Sequence, residues 1–477
     1  MNTFDIDAYA KKLLTNHNAT CDRTQQNLFS EEDYKQIVAY VYSVYQQCPD
    51  YSLEELRKIL YDASGIEQII YDFIYQRQVT PGISLSYGSK YFQESIVAGY
   101  SQEVVYVGNK MVCTPILVDE NTIYDLASVT KLFTSISILK LASLGIISLS
   151  DIVTKYAPEF KNLNHVTIYD LLSFNVPLQT DSRIDLASYA EAQDVLFNIK
   201  VTTYADKSRV YTDMGAMVLK YVIEHVTSMG YYDFLYSEFL SKIGMNDTFA
   251  NVPQEKLDKV ASTNYDSKIY ADGTFSTNIH NYPGIPYDPK AQVMKGLSGH
   301  AGLFASTPNM INLMRNLPSI LPISEIEQMS INRTGKIIDG KYSQHYGYLV
   351  YSKNPNVKDS EVHHILSGKS FASAGWTGNQ LTYDPLNEIY FFLGTNRPHN
   401  RMTFIATNQK DKIFYDQSGK RLFSLPNGII KIDSSAFAFE RDIIVQTAIK
   451  LAMQYKILDD IVCNKTMDYN IIKIRKK

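Results

Sequence analysis

Apolar positions recur at helical spacing along the first seventy-odd residues. Tyr34, Ile37, Val38, Val41, Val44 and Tyr45 follow the acidic opening Ser30-Glu31-Glu32-Asp33, and Leu56, Ile59 and Leu60 follow Ser52-Leu53-Glu54-Glu55. The second opening is a capping box, a hydroxyl answered by an acid three residues on. A third run, Ile66, Ile69, Ile70, Phe73 and Ile74, stops before Pro81-Gly82. Proline cannot continue a helix, so the pattern changes there, and Ile83 to Tyr87 alternates as a strand with Gly88 at its turn. From about 125 to 245 the spacing is largely helical. Strand signals return at Gln380–Asp384 and Ile389–Leu393, joined by Pro385-Leu386-Asn387, a hairpin pattern. Residues 405–433 mix Lys, Asp, Asn and Gly with few apolar pairs and read as an insertion or long loop. A last helix, about Ala436 to Tyr455, places Phe439, Ile443, Val445, Ile449 and Ala452 in an apolar run. The closing Lys473-Ile474-Arg475-Lys476-Lys477 reads as a solvated basic terminus.

Strands near both ends with helices between them predict an α+β fold. The terminal strands pair in one antiparallel sheet flanked by helices, and a mostly helical subdomain is inserted between them. The expected organisation is a helical extension over 1–63, a main unit over 64–460 carrying the insertion at about 405–433, and a tail over 461–477.

Composition narrows the function classes. Forty-six basic residues against fifty acidic give a net charge of −4 over 477 residues, so there is no overall attraction to nucleic acid or to an anionic membrane. No stretch reaches the roughly 18 apolar residues of a membrane span. The opening Met-Asn-Thr-Phe-Asp-Ile-Asp has neither a basic nor an apolar leader region, and the expected location is the cytoplasm. Cys21, Cys48, Cys113 and Cys463 are scattered without C-x-x-C spacing, which favours free thiols over a disulfide framework. With 36 tyrosines in the chain, no tyrosine can be nominated as catalytic from its identity alone.

Candidate chemistry begins at Ser128-Val129-Thr130-Lys131, which opens the apolar run Leu132, Phe133, Ile136, Ile138, Leu139 and Leu141. Three residues is nearly one helical turn, so the hydroxyl and the amine share a face. A hydroxyl is a weak nucleophile until a base takes its proton, and a desolvated lysine beside it can do so.

The run Asp125 to Thr134 resembles the nucleophile segment of the penicillin-recognising serine hydrolases, the family of class C-type β-lactamases, DD-peptidases and related esterases. The resemblance continues in order through Ser148–Asp151 with Lys155–Pro158, Val166–Leu172, Tyr211-Thr212-Asp213-Met214-Gly215, and Lys242–Thr248. Further on it takes in Tyr287-Asp288-Pro289-Lys290-Ala291, Gly299–Phe304, Phe371–Gly378, and Tyr383-Asp384-Pro385 with Thr395-Asn396-Arg397. It implies a β-lactamase/transpeptidase-like fold. It also implies that Ser128 attacks a carbonyl, that Lys131 and Tyr211 divide the roles of base and relay, and that the N–H groups of Ser128 and Trp376 receive the oxyanion. No cofactor or metal is implied, and the partner is a small-molecule or peptide substrate.

Two departures from the family pattern matter. Asp213 stands where the common form has Asn, and a carboxylate beside Lys131 favours the charged lysine, which makes Tyr211 the stronger base candidate. Ser373-Ala374-Gly375 stands where Lys or His followed by Thr-Gly is usual, so the strand's carboxylate-gripping cation is gone. Gly375 is kept, as close approach of a substrate backbone would require. Lys369 or Arg397 could replace the cation, or each could be solvated. His300 could line the site or be a structural histidine of its Gly-rich loop.

Other motifs fall away. His363-His364 has no third ligand at metal-site spacing. Gly368-Lys369-Ser370 lacks the phosphate-loop frame, since His363 stands five before Gly368. Gly296-Leu297-Ser298-Gly299 is not a G-x-S-x-G elbow. Two function classes remain: a serine hydrolase forming an acyl-enzyme on an ester or amide, or a catalytically weakened relative that binds or senses, with the helices of 1–63 as its protein-binding surface.

Overall fold

The computed structural model describes residues 4–19, 29–107, 110–202, 211–279, 282–333, 337–338, 341–342, 345–353, 361–462 and 468–476. Cys21 and Cys463 lie outside them. Local signals produce the first helices as expected. Ser30 and Ser52 each cap a helix, Glu31–Gln47 and Leu53–Ser64, in a reciprocal box with Asp33 and Glu55. Gly65, at φ +66°, ends the second of these in the left-handed conformation glycine tolerates.

The central sheet runs Tyr351–Ser352, Phe371–Ala374, Gln380–Asp384, Ile389–Thr395, Gly82–Gly88, Phe92–Val107 and Asp468–Ile474, with Lys110–Leu117 folded back on the long strand. Gly82–Gly88 pairs antiparallel with Ile389–Thr395, so the two ends of the chain close one sheet around the inserted helical region, as expected. Period-2 alternation splits the sheet's faces. Ile389, Phe391 and Leu393 enter a core with the N-terminal helices and the C-terminal helix, while Tyr390 and Phe392 enter a second core with the nucleophile helix. Both faces are therefore covered, and the site is built on the second.

Three expectations change. The basic terminus is not simply solvated: Asp468–Ile474 is the sheet's outermost strand, parallel to Phe92–Val107, with Ile474 buried. Residues 405–433 are not a loop. Ile413–Tyr415, Arg421–Ser424 and Ile430–Asp433 join Arg401–Ile405, Ser267–Ile269 and Phe275–Thr277 in a six-stranded sheet with its own small core of Ile269, Met402, Ile405, Phe423 and Leu425. The last helix runs Phe437–Val462, and Phe439 and Ile443 face solvent rather than the core. The described helices of the first 63 residues pack an apolar face against the main unit and leave Tyr40 and Tyr51 exposed. Tyr34, Val38, Val41, Leu56 and Leu60 are buried in the same core as Ile444, Ala448, Leu451 and Tyr455 of the C-terminal helix.

Gly368 serves this docking and not a phosphate. Its N–H donates to the Asn16 carbonyl at 2.9 Å, and a Cβ there would lie 2.9 Å from the Ala19 backbone. The rings of His363 and His364 lie against each other, tilted by 33°, with centroids 4.2 Å apart. Among the described residues no helix is long and apolar enough to cross a membrane.

Candidate active site

Ser128 sits in a single 3-10 turn, Ala127–Val129, that feeds the buried helix Thr130–Ser143. The residue before it, Ala127, has φ +46°, a left-handed conformation that costs a non-glycine residue energy unless its surroundings hold it. Asp125 holds it. Its carboxylate accepts from the Ala127 N–H at 2.9 Å and from the Tyr287 N–H at 2.5 Å, while its carbonyl accepts from Thr377 and Asn379. Burial pushes the Asp125 carboxyl up to about 6, with the two N–H donors opposing that rise. Gly375 presses on the same turn: a Cβ there would lie 2.6 Å from the Leu126 carbonyl oxygen. The strand's glycine thus makes room for the nucleophile turn itself, a nearer reason for its presence than room for a substrate backbone.

Lys131 Nζ donates to Ser128 Oγ at 2.8 Å and to Asp213 Oδ1 at 2.8 Å, and its side chain is 1% exposed. Burial pulls the ammonium's pKa down, but the Asp213 carboxylate, and then Tyr211, overcome that pull and leave it raised. Asp213 shows the reverse balance. Burial would raise its carboxyl, yet Lys131, His300 and Lys290 hold it well below the usual carboxylate range. The ring of Tyr211 lies 4.8 Å from Lys131 Nζ and stacks on Phe174 at 5.1 Å. The structure therefore brings Ser128, Lys131, Tyr211 and Asp213 together.

His300 lies in the second tier. Gly299 (φ +85°) and Gly302 (φ +108°) let its loop fold against the helix Met214–Thr227, since Cβ atoms there would strike the Ala216 and Gly296 carbonyls. The His300 carbonyl consequently faces Lys131 Nζ at 3.5 Å, while its ring, fully buried, bonds Asp288 Oδ1 at 2.9 Å and Ser298 Oγ at 3.2 Å. Asp288 also caps the helix Pro289–Val293. Burial works to raise its carboxyl, and His300 and Lys290 bring it down to about 2.

Two members of this network were given no role from sequence, Asp288 and Lys290. Lys290 Nζ lies 3.0 Å from Asp213 Oδ2 and 3.8 Å from Asp288 Oδ2. The charged pair within Tyr287–Ala291 was visible in the sequence, but nothing local ties it to a residue at 213. Asp213, Asp288 and His300 place ligand-type atoms within 4.8 Å of one another. Both carboxylates already face ammonium groups, which meets the charge a metal ion would bring and makes the cluster an ion-pair network.

No cation stands on the Ser373 strand. Ser373 is buried. Arg397 does not take the missing role and is not solvated: its guanidinium donates to the carbonyls of Trp376, Thr403 and Ser434, and burial lowers it to about 10. Lys369 pairs with Glu327 at 3.6 Å. Trp376 is 45% exposed, with Arg397 beneath its ring. A cleft of about 500 Å³ opens beside Tyr211, Asp213 and Lys290, its far wall formed by residues 180–185. A larger cavity of about 670 Å³ lies across the sheet, among the N-terminal helices, His363, His364 and the C-terminal helix, and holds none of the groups described above.

The family model described as Beta-lactamase matches residues 94–413, a span that contains the whole network. A protein of Salmonella agona (strain SL483), named "Putative D-alanyl-D-alanine carboxypeptidase", is 26% identical over 329 residues, covering 63% of this chain and 75% of that one. The crystal structure of a class C beta lactamase superposes with a TM-score of 0.52 at 15% identity, over 71% of this chain and 93% of that one. The D-amino acid amidase of Ochrobactrum anthropi SV3 gives 0.52 at 14%, over 81% and 98%. The two solved structures share the fold.

Proposed function

This chain belongs to the Beta-lactamase family and is a serine hydrolase of it, and from that premise we propose that it works through an acyl-enzyme on Ser128. Ser128 Oγ attacks the carbonyl carbon of an ester or amide, and Tyr211 takes its proton. The tetrahedral oxyanion is received by the N–H groups of Ser128 and Trp376, two preorganised donors of the kind whose loss costs roughly a hundredfold each. Collapse breaks the bond to the leaving group, which departs with the proton relayed from Tyr211. Water then attacks the ester on Ser128, releases the acid and restores the hydroxyl.

The observation that carries this reading is the 2.8 Å contact of Lys131 Nζ with Ser128 Oγ while Asp213 holds the other side of the ammonium. A lysine kept charged by a contact carboxylate orients the nucleophile and leaves the proton transfer to Tyr211. The relatives' names point to D-amino-acid peptides or amides. Against dependence on a terminal carboxylate stand Ser373, whose own strand Phe371–Ala374 carries no cation, and Arg397, which is committed to three carbonyls. The substrate we favour is a small-molecule or peptide ester or amide recognised through its acyl side. The alternative is a binding or sensing protein using the helices of 1–63, which bury Tyr34, Val38, Val41, Leu56 and Leu60 in the core and leave Tyr40 and Tyr51 exposed.

A fluorophosphonate probe followed by mass spectrometry should place one adduct on Ser128. Ser128→Ala should remove the adduct and lower hydrolysis of short-chain esters by about a thousandfold or more. An unchanged hydrolytic rate in that variant would overturn the proposal.

A further inference from the structure

The six-stranded sheet to which residues 405–433 contribute three strands has two unlike faces. On one, Ile269, Met402, Ile405, Phe423 and Leu425 close a small core. Alternation sends the neighbours of Ile269 the other way: Lys268 is partly exposed, and Tyr270 and Phe404 are exposed. Phe404 stands opposite Lys268 across the parallel strands Arg401–Ile405 and Ser267–Ile269, and its ring lies 5.8 Å from that of Tyr270. This outer face meets the active site at Lys268. Its Nζ lies 5.8 Å from the centre of the Trp376 ring and 5.1 Å from that of Tyr287. Both residues are anchored at the nucleophile turn. The Tyr287 N–H donates to the Asp125 carboxylate that holds Ala127, and Trp376 follows Gly375, the residue pressed against Leu126. Three exposed aromatic rings therefore gather around one ammonium, beside the proposed oxyanion donor.

The other charged groups here are already engaged. Asp266, the carboxylate nearest Lys268, accepts from the Thr403 hydroxyl on one oxygen and from the Tyr287 hydroxyl on the other, and the Lys268 ammonium stands off at 3.4 Å. Lys431 donates to the Tyr265 carbonyl at 2.8 Å, Arg397 is committed to three carbonyls, and Asp433 faces Arg421 at 3.0 Å. Lys268, loosely paired and beside an exposed ring, is the cation of this group open to a further anion.

We propose that Lys268 and Trp376 form the acyl-side subsite and select an acyl chain that carries a carboxylate of its own, its methylenes lying on the indole and its carboxylate meeting the ammonium. The proposal rests on the acyl-enzyme reading above and gives it a substrate class, a monoester or monoamide of a dicarboxylic acid. This carboxylate stays with the acyl group. It is distinct from the terminal carboxylate of a departing amino acid, for which the Ser373 strand has no cation.

Trp376 is the chain's single tryptophan, so intrinsic emission reports on the subsite directly and separates binding from turnover. In Ser128→Ala, ethyl hydrogen adipate should shift the emission saturably. Adding Lys268→Met should raise the half-saturating concentration about tenfold, the size of one charge-assisted hydrogen bond. With Ser128 in place, two esters are compared, 4-nitrophenyl hydrogen adipate and the uncharged 4-nitrophenyl hexanoate. The ratio of their kcat/KM values should fall about tenfold in Lys268→Met and return in Lys268→Arg. A Lys268→Met protein in which both esters slow alike, leaving the ratio unchanged, would overturn the proposal and leave Lys268 a structural role. Turnover that persists while the emission titrates identically with and without Lys268 would overturn the subsite and spare the Ser128 reading. If neither ester is turned over and the adipate titration still depends on Lys268, the Ser128 reading falls and the subsite stands.

Discussion

Lys131 and Lys353 lie on opposite faces of the same sheet, and both are shut away from solvent, at 1% and 3% exposure. Their surroundings differ in one respect. Lys131 has a carboxylate in contact. Lys353, just past the strand Tyr351–Ser352, has His17 Nδ1 at 2.7 Å and the Leu366 carbonyl instead. The carboxylate nearest in influence, Asp384, is spent on the Ser367 hydroxyl and N–H and on the Asn387 amide. Burial therefore wins at Lys353 and lowers it to about 7, with Asp384 only partly opposing, whereas at Lys131 the contact carboxylate outweighs the same burial. Desolvation is a cost common to both. What decides the charge of a buried lysine here is whether a carboxylate touches it.

The largest break in that comparison is Asp213→Asn, which turns Lys131 into a lysine of the Lys353 kind and leaves Lys290 facing it across a neutral amide. Removing one partner of a buried pair typically costs about 3–5 kcal/mol, and chemical unfolding at pH 7 should show a loss of that order. The sign with pH follows from both partners. Asp213 is depressed in the folded protein, so its share is lost as pH falls below about 3.8. Lys131 is raised, so its share is lost only above about 10.5. The destabilisation should be constant from about pH 4 until Lys131, released from its carboxylate, begins to lose its proton, and should shrink above that, since a depressed lysine makes the variant's own stability rise with pH. A loss below about 1 kcal/mol would mean that the carboxylate does not outweigh burial.

Lys353→Met tests the other half, with the opposite sign. A lysine depressed from 10.5 to about 7 binds fewer protons folded than unfolded across that interval, so parent stability should rise with pH through it. The variant lacks this slope. The stability of variant relative to parent should fall by about 2–4 kcal/mol between pH 6 and pH 10, read from unfolding midpoints at each pH. Equal slopes would show that Lys353 is not depressed and that the two lysines do not differ as described.

The contrast also marks what a sequence can disclose. Ser128 and Lys131 are three apart, from the 3-10 turn into the first turn of the helix it feeds, so their meeting is local and was legible. Tyr211 and Asp213 were placed only by family order, and the pairing of Asp213 with Lys290 spans 77 residues with no periodic signal to announce it. The strained Ala127 was invisible because alanine favours ordinary backbone, and the strain is imposed by Asp125 and Gly375. In the fold, the capping boxes at Ser30 and Ser52 are local and formed as read, or more completely. The strand Asp468–Ile474 was hidden because the basic run beginning at its Lys473 reads as a tail, although a lysine suits an exposed sheet edge equally well. The strands within 405–433 are three or four residues long and share a small core, too short for alternation to show.

The smallest test bears on how the first helices are held. The Tyr34 hydroxyl donates to the Ile365 carbonyl at 2.8 Å and lies 3.2 Å from His17 Nδ1, the same nitrogen that faces Lys353. Tyr34→Phe keeps the ring in its core position and removes only the hydroxyl, so the expected cost is that of one buried hydrogen bond, about 1 kcal/mol. Ser128 labelling should not change, because the nucleophile helix packs on the other face of the sheet. A cost near that of Asp213→Asn would mean that the neutral cluster under the N-terminal helices is as tightly coupled as the ion pairs of the site. A drop in Ser128 labelling without loss of stability would mean that the two faces communicate through the sheet, and the division between a structural lysine and a working one would have to be redrawn around that link.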